Sequence, residues 1–235
     1  MYDIKPNLIF GFHGCDESVR DRLLNQPNEI VFSKEKYDWL GHGMYFWENN
    51  YERALRWAED KKRRGKIDKP AVVGATLFLG YCCDFLDSTY IQLLKTYFDL
   101  LYALTIIFEV DLPENRDLPH DPHKDKILRE LDCAVIEFMN DKILLSIQHD
   151  IRSKGFSQDK MFDSTRSVFI EGGPVYEGAG IFEKNHIQIA IRNPNCIKGF
   201  LELRTEHCSV LVRNLRFARL SRKEVDFPDW LEVNN

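Results

Sequence analysis

Two glycine-bounded apolar segments near the amino end constrain this chain more than any other feature. The first ends in Phe12-His13-Gly14, and the second runs from Leu40 through Gly41-His42-Gly43 to Met44-Tyr45-Phe46-Trp47. Each segment interrupts or ends an apolar run with glycine, where the bare backbone can be approached closely. We therefore interpret the two segments as two sides of one cleft, which could hold a flat ring between backbone amides and an aromatic face.

Composition places the chain among ordinary globular proteins, with 44% hydrophobic and 29% charged residues over 235 positions. The net charge of −5 does not mark a nucleic-acid-binding protein. One basic stretch, residues 213–223, interleaves cations with apolar residues. It leaves two interpretations open, an amphipathic strand with a solvated face or a binding patch.

The sequence also predicts a cytoplasmic protein without membrane association. The amino terminus lacks a charged-then-apolar leader. The apolar window 97–110 is too short to cross a bilayer and contains Asp99 and Glu109, so we expect a buried helix there. Six cysteines without CxxC spacing favour reduced thiols. We find no cluster with metal-ligand spacing, and His120 and His123 lie in a proline-rich loop.

Hydrophobic periodicity predicts an α+β fold in a single domain spanning residues 1–235. Strands are expected at 7–14, where the run ends at Gly14, at 29–33, at 70–85 with a bulge near Gly74, and near 166–171, 186–192 and 197–203. Helices are expected at 15–26 and 50–64. Two further helical segments, 88–108 and 126–151, suggest a helical insertion at about 86–155.

Four segments in a fixed order carry a resemblance to a known family. They are His13-Gly14, the run from Gly41 to Phe46, the apolar segment 73–85, and residues 187–200. In these the chain resembles the ADP-ribosyltransferase superfamily, in the His-Tyr-Glu branch shared by diphtheria-toxin-like and poly-ADP-ribose-polymerase-like enzymes. The resemblance covers residues 7–86 and 186–203. It implies a split, mainly antiparallel two-sheet core with NAD in the cleft.

The resemblance also implies roles for individual residues. The backbone of Gly14 would hold the nicotinamide carboxamide, and Gly43 would belong to the same cofactor-binding set. Tyr45 would stack on the nicotinamide ring, and Trp57 is the nearest candidate for a second stacking aromatic. His13 would bind the adenosine ribose and orient the dinucleotide.

One position departs from the family pattern. Gln188 stands where the family has its catalytic glutamate, so the hydrogen bond to a ribose hydroxyl is kept and the charge is lost. Another carboxylate could supply the charge, and Glu183 and Glu177 lie on the glycine-rich loop 172–185 just before this segment. The expected catalytic set is therefore His13, Tyr45, Gln188 and Glu183.

The function that the resemblance implies is mono-ADP-ribosyl transfer from NAD, the co-substrate, to a macromolecular acceptor. The sequence leaves protein and nucleic acid open as acceptors. A toxin or defence effector, with a neutralising antitoxin as a partner, would suit such a chain. Two alternatives remain, a catalytically inactive NAD-binding or partner-binding module and an NAD glycohydrolase. Labelling of a macromolecule, release of free ADP-ribose, or binding without turnover would separate the three.

Overall fold

The structure is a computed structural model, and it describes residues 8–119 and 121–203. The basic stretch 213–223, His120 and Cys208 lie outside the described residues. The five described cysteines are all free and buried.

Nine strands and four helices make up the described part of the chain. In order they are β1 (Ile9–Asp16), α1 (Glu17–Asn25), β2 (Met44–Glu48), α2 (Tyr51–Arg63), β3 (Pro70–Leu77), β4 (Cys82–Asp84), α3 (Ser88–Phe108), β5 (Asn115–Arg116), β6 (Leu128–Arg129), α4 (Glu130–Lys154), β7 (Ser164–Phe169), β8 (His186–Ile191) and β9 (Ile197–Leu201).

The main sheet confirms the α+β prediction and its mainly antiparallel pairing. Seven strands follow the order β4-β7-β8-β2-β1-β3-β9, and β5 and β6 form a small separate sheet. Only β4 and β7 pair in parallel. The prediction of two packed sheets is wrong. β1 and β2 are hydrogen-bonded neighbours, so the strands on either side of them belong to one sheet.

The junction between β1 and β2 is nevertheless narrow. Two residue pairs hold it, Gly11 with Glu48 and Phe12 with Trp47. By contrast, β1 pairs with β3 over eight positions, from Ile9–Leu77 to Asp16–Pro70. Beyond Phe12 the two central strands therefore separate, and the sheet opens along their far ends.

The predicted strand 70–85 is in fact two strands at distant places in the sheet. β3 lies next to the edge strand β9, whereas β4 forms the opposite edge. Gly80 adopts a left-handed backbone with φ +61, and Tyr81 N–H donates to Asp163 Oδ2 at 2.9 Å. These features turn the chain away from β3, and continuous hydrophobicity gave no sign of the break.

Three smaller predictions about strands are also wrong. The register is regular at Gly74, and the irregularity falls between Thr76 and Leu77. β1 continues through Gly14 to Asp16. The expected strand 29–33 is reduced to a single bridge between Ser33 and Gly43.

Helix α2 packs across β1 and β3 and forms the floor of the opening. Asn50 caps it by accepting a hydrogen bond from Arg53 N–H at 3.0 Å. Small buried residues, Ala54 and Ala58, allow the helix to approach the sheet closely. Its last turn is basic, which suits the negative end of the helix dipole.

Helices α3 and α4 occupy the middle third of the chain. The N-terminal half of α4 is buried through Cys133, Val135, Ile136 and Met139. α3 packs mainly on α4, with Tyr97 edge-on to Phe138.

The expectation of a buried helix at 97–110 is wrong. α3 spans 21 residues, and no residue of its most apolar window is buried. That window has a mean hydropathy of 1.4, so length and composition alone would allow α3 to cross a membrane. The helix is exposed because one face meets α4 and nothing among the described residues covers the other.

An ionic cluster ties β2 to the strands on one side of it. Arg166 of β7 lies 2.6 Å from Glu48 Oε2 at the end of β2 and 3.0 Å from Asp84 Oδ2 of β4. All three side chains are largely shielded from solvent. Removing one partner of such a cluster leaves the remaining charges without compensation.

We predict that Arg166→Gln lowers the free energy of unfolding by about 3–5 kcal/mol, because two shielded carboxylates lose their counter-charge. Chemical denaturation measures this change. Arg63→Gln, which removes an exposed pair with Asp60, is the control and should cost at most about 1 kcal/mol. Equal effects of the two substitutions would show that the cluster is not a structural tie.

Candidate active site

A cavity of about 450 Å³ opens where β1 and β2 separate. Every residue assigned to cofactor binding from the sequence lines it, and so does Gln188 of β8. These residues come from four distant segments of the chain. The full lining is His13, Gly14, Val31, Ser33, Glu35, Tyr37, Asp38, Trp39, Gly43, Met44, Tyr45, Trp47, Trp57, Lys61, Arg64, Lys66, Ile67 and Gln188.

The imidazole of His13 bridges the separated strands. Its Nδ1 lies 2.7 Å from the backbone carbonyl oxygen of Tyr45. Burial lowers the pKa of His13 to about 4, with a smaller contribution from nearby Lys61. The ring is therefore neutral at pH 7, and Nδ1 carries the proton that it donates to the carbonyl. This assignment leaves Nε2 as a hydrogen-bond acceptor.

Tyr45 is held by the turn that precedes it. Its hydroxyl accepts a hydrogen bond from Leu40 N–H and donates one to the Gly41 carbonyl, both at 2.7 Å. The ring packs against the cluster that contains Trp39 and Ala190. Burial raises the pKa of Tyr45 well above its ordinary value, so the phenol stays protonated. The ring is thus fixed before any ligand arrives.

The two site glycines have packing reasons of their own. A Cβ on Gly14 would collide with the backbone carbonyl of Ala54 in α2. A Cβ on Gly43 would lie 2.7 Å from the backbone oxygen of Ile191. Since backbone atoms cannot move aside, both positions exclude larger residues whether or not a ligand binds.

Three tryptophans form one wall of the cavity. The Trp57 ring lies 6.5 Å from Trp39 and 6.0 Å from Trp47, measured between centroids. Arg64 Cζ and Lys61 Nζ lie 5.1 and 5.8 Å from the centre of the Trp57 ring. Such cation–π contacts hold the cations near the aromatic wall.

A buried ion pair supports the tryptophans from behind. Arg53 of α2 lies 3.1 Å from Glu171, which is fully buried. The Arg53 guanidinium is 5.9 Å from the Trp47 ring, and Arg129 Cζ is 5.0 Å from the Trp39 ring. The loop after β7 is thereby connected to the cavity wall.

Gln188 and the loop glutamates have different positions. Gln188 is 4% exposed, pairs with Trp47 and Ser167 in the sheet, and lines the cavity. Glu183 and Glu177 are exposed on the 172–185 loop and are not among the lining residues. The loop folds on itself through a bridge between Pro174 and Phe182, which keeps Glu183 outside. The structure therefore groups His13, Tyr45 and Gln188 but not Glu183.

Sequence reasoning missed the charged part of the lining. Lys61, Arg64 and Lys66 give the lining three positive charges, and Glu35 and Asp38 add two carboxylates. The cations resemble the usual solvated end of a helix in the sequence. Asp38 lies three residues before Gly41, but nothing in its spacing indicated that it faces the same cavity.

Helix α4 fixes the second glycine-bounded segment in place. Glu137 accepts a hydrogen bond from His42 N–H at 2.7 Å and makes two contacts to Arg192, at 2.5 and 3.0 Å. Burial opposes ionisation of Glu137, but Arg192 holds its pKa below the ordinary value. Arg192 also donates to the His42 carbonyl at 3.1 Å. Helix α4 thus contacts the segment at the rim of the cavity directly.

Comparison with known proteins gives a relative but no activity. The chain is 25% identical over 206 residues to an uncharacterized protein of Methanocaldococcus jannaschii, across 80% of this chain and 83% of that protein. No protein-family model matches the chain, and no solved structure matches it. In the described residues no group of three or more His, Cys, Asp or Glu could hold a metal ion.

We predict that Tyr45→Phe lowers the free energy of unfolding by about 1–3 kcal/mol, because Leu40 N–H and the Gly41 carbonyl lose their partner. Urea denaturation measures the change. Tyr102→Phe removes a hydroxyl from a residue that is 52% exposed on α3, and it should change stability by less than about 0.5 kcal/mol. If the two variants are equally stable, the turn does not depend on the Tyr45 hydroxyl.

Proposed function

We propose that this protein is a mono-ADP-ribosyltransferase that uses NAD as co-substrate and acts on a macromolecular acceptor. One observation carries the proposal. His13, Gly14, Gly43, Tyr45, Trp57 and Gln188, chosen from a family resemblance, all line one cavity. These six residues come from four segments of the chain, and the fold brings them to one cavity.

The lining fits the parts of NAD. Bare backbone at Gly14 offers a donor and an acceptor to a carboxamide, beside a fixed aromatic ring at Tyr45. Gly43 lines the same cavity, but its N–H and its carbonyl are both hydrogen-bonded to Ser33. The neutral imidazole of His13 can accept a hydrogen bond from a ribose hydroxyl at Nε2.

The cations of the lining support the same ligand. Lys61, Arg64 and Lys66 suit a pyrophosphate. A cavity of about 450 Å³ is of the size that commonly holds a ligand of this kind.

The chemistry follows from a rigid site. Cleavage of the bond between nicotinamide and ribose develops positive charge on the sugar, so the enzyme must fix both parts while they separate. Tyr45 and Gly14 would hold the leaving ring, and His13 would hold the adenosine side. Gln188 can hydrogen-bond a ribose hydroxyl, but a neutral amide contributes less to a developing cation than a carboxylate does.

Gln188 also favours a second candidate, an NAD-binding module that has lost catalysis. An NAD glycohydrolase, in which water is the acceptor, is the third. All three use the same cavity, and they differ in what happens to the ADP-ribose.

The test is incubation of the purified protein with labelled NAD, alone and then with cell lysate. We expect label on a macromolecule in the lysate, which is the result of transfer. Free ADP-ribose without a labelled target would show that the protein is an NAD glycohydrolase and not a transferase. Binding of NAD without release of nicotinamide would show that the protein is a catalytically inactive NAD-binding module.

We further predict that Tyr45→Ala abolishes nicotinamide release and weakens NAD binding by roughly tenfold, since a stacked ring loses its partner. Calorimetry measures binding, and circular dichroism checks that the variant is folded at the assay temperature. Tyr102→Ala, on the exposed face of α3, should behave like the parent. If a folded Tyr45→Ala protein releases nicotinamide at the parent's rate, the cavity is not the catalytic site.

A further inference from the structure

A carboxylate that the family resemblance does not predict lines the cavity. Two acidic residues contribute to the lining, Glu35 and Asp38. Glu35 is exposed, whereas Asp38 is 8% exposed. Of the two, Asp38 is therefore the carboxylate that is shielded from solvent.

The Asp38 carboxylate is held in a fixed position. Ser33 Oγ donates to its Oδ1 at 2.8 Å, and Glu35 N–H donates to its Oδ2 at 2.9 Å. Its backbone accepts from Gly41 N–H at 3.1 Å. The same turn provides both partners of the Tyr45 hydroxyl, so the carboxylate and the tyrosine ring share one rigid support. Each carboxylate oxygen keeps a free lone pair for a ligand.

The other shielded carboxylates near the cavity already form ion pairs. Glu171 is paired with Arg53, and Glu137 is paired with Arg192. Neither of these carboxylates lines the cavity. Asp38, in contrast, has no ion pair within 4.0 Å to any residue in the described ranges. Its charge remains available to a cation inside the cavity.

We propose that Asp38 is the catalytic carboxylate of this site, a role that rests on the proposed transferase function. The C1′–N bond of NAD breaks, and its electron pair stays on the nicotinamide nitrogen. A lone pair of the acceptor, a hydroxyl or amine, then forms the new bond to C1′. The proton of the acceptor moves to an oxygen of Asp38 and from there to solvent. Before that transfer, the Asp38 charge stabilises the sugar cation.

The ionisation of Asp38 suits this role. Burial raises its pKa to about 6, against the hydrogen bonds from Ser33 and Glu35. A base with a pKa near the working pH both holds its charge and accepts a proton readily. The titratable groups that face Asp38 are Glu35 and Tyr37 on its own loop, His42 and Tyr45 beside it, Lys61 of α2 and Cys133 of α4.

The first test compares Asp38→Asn with the wild type in nicotinamide release and in NAD binding. We expect kcat to fall at least ~100-fold. The dissociation constant for NAD should change less than about threefold, a small fraction of the catalytic loss. Asp141→Asn, on the exposed face of α4, is the matched control and should retain the wild-type rate. A folded Asp38→Asn protein with the wild-type kcat would overturn the proposal.

A second variant separates catalysis from a structural role. Gln188→Glu in the Asp38→Asn background returns a carboxylate to the same cavity, and we expect it to restore at least ~10-fold of the lost rate. If kcat does not recover in a folded double variant, the loss in Asp38→Asn comes from a disturbed turn, and the proposal is overturned.

The wild type provides a test that needs no variant. Its kcat/KM should fall as the pH drops through about 6, because protonated Asp38 cannot accept a proton. A flat profile between pH 5 and 8 would contradict the assignment. If the wild type binds NAD but releases no nicotinamide at any pH, the transferase function itself fails, and the role of Asp38 with it.

Discussion

The separation of β1 from β2 beyond Phe12 and Trp47 is the constraint on which the rest of the site depends. Two paired positions join the halves of a seven-stranded sheet, and His13 spans the gap by donating to the Tyr45 carbonyl. A fully paired junction would leave no room for a ligand among the backbone amides. Because the half-buried imidazole is neutral, it can span the two strands without adding a charge to the cavity.

Close packing of the backbone explains why the sequence indicated which glycines line the cavity. Gly14 must be bare where α2 crosses β1, and Gly43 must be bare where β8 approaches. Glycine at such positions marks a close approach of two chains, and here the approach also defines the cavity. Tyr45 follows at a fixed distance, and its hydroxyl closes the turn at residues 40–41. Local sequence therefore fixed both the position of the tyrosine and the shape of its support.

The remainder depends on contacts between distant parts of the chain, which no local pattern encodes. The strand break at Gly80 is set by Asp163, 83 positions later. Exposure of α3 follows from packing mainly on α4, although its composition is that of a core helix. In the sequence Asp38 resembles an ordinary loop residue, and only the folded turn places it at the cavity. Hydrophobic runs thus predicted which elements form, and tertiary contacts decided where they end and what they face.

The lining of the cavity carries charges of both signs. Lys61 and Arg64 contact the Trp57 ring, whereas Asp38 belongs to the turn that supports Tyr45 and interacts electrostatically with Lys61. A ligand with an anionic middle meets the cations of this lining. Glu137 connects the same rim to α4 through His42 and Arg192. Any displacement of α4 would therefore act first on the segment that carries Gly43.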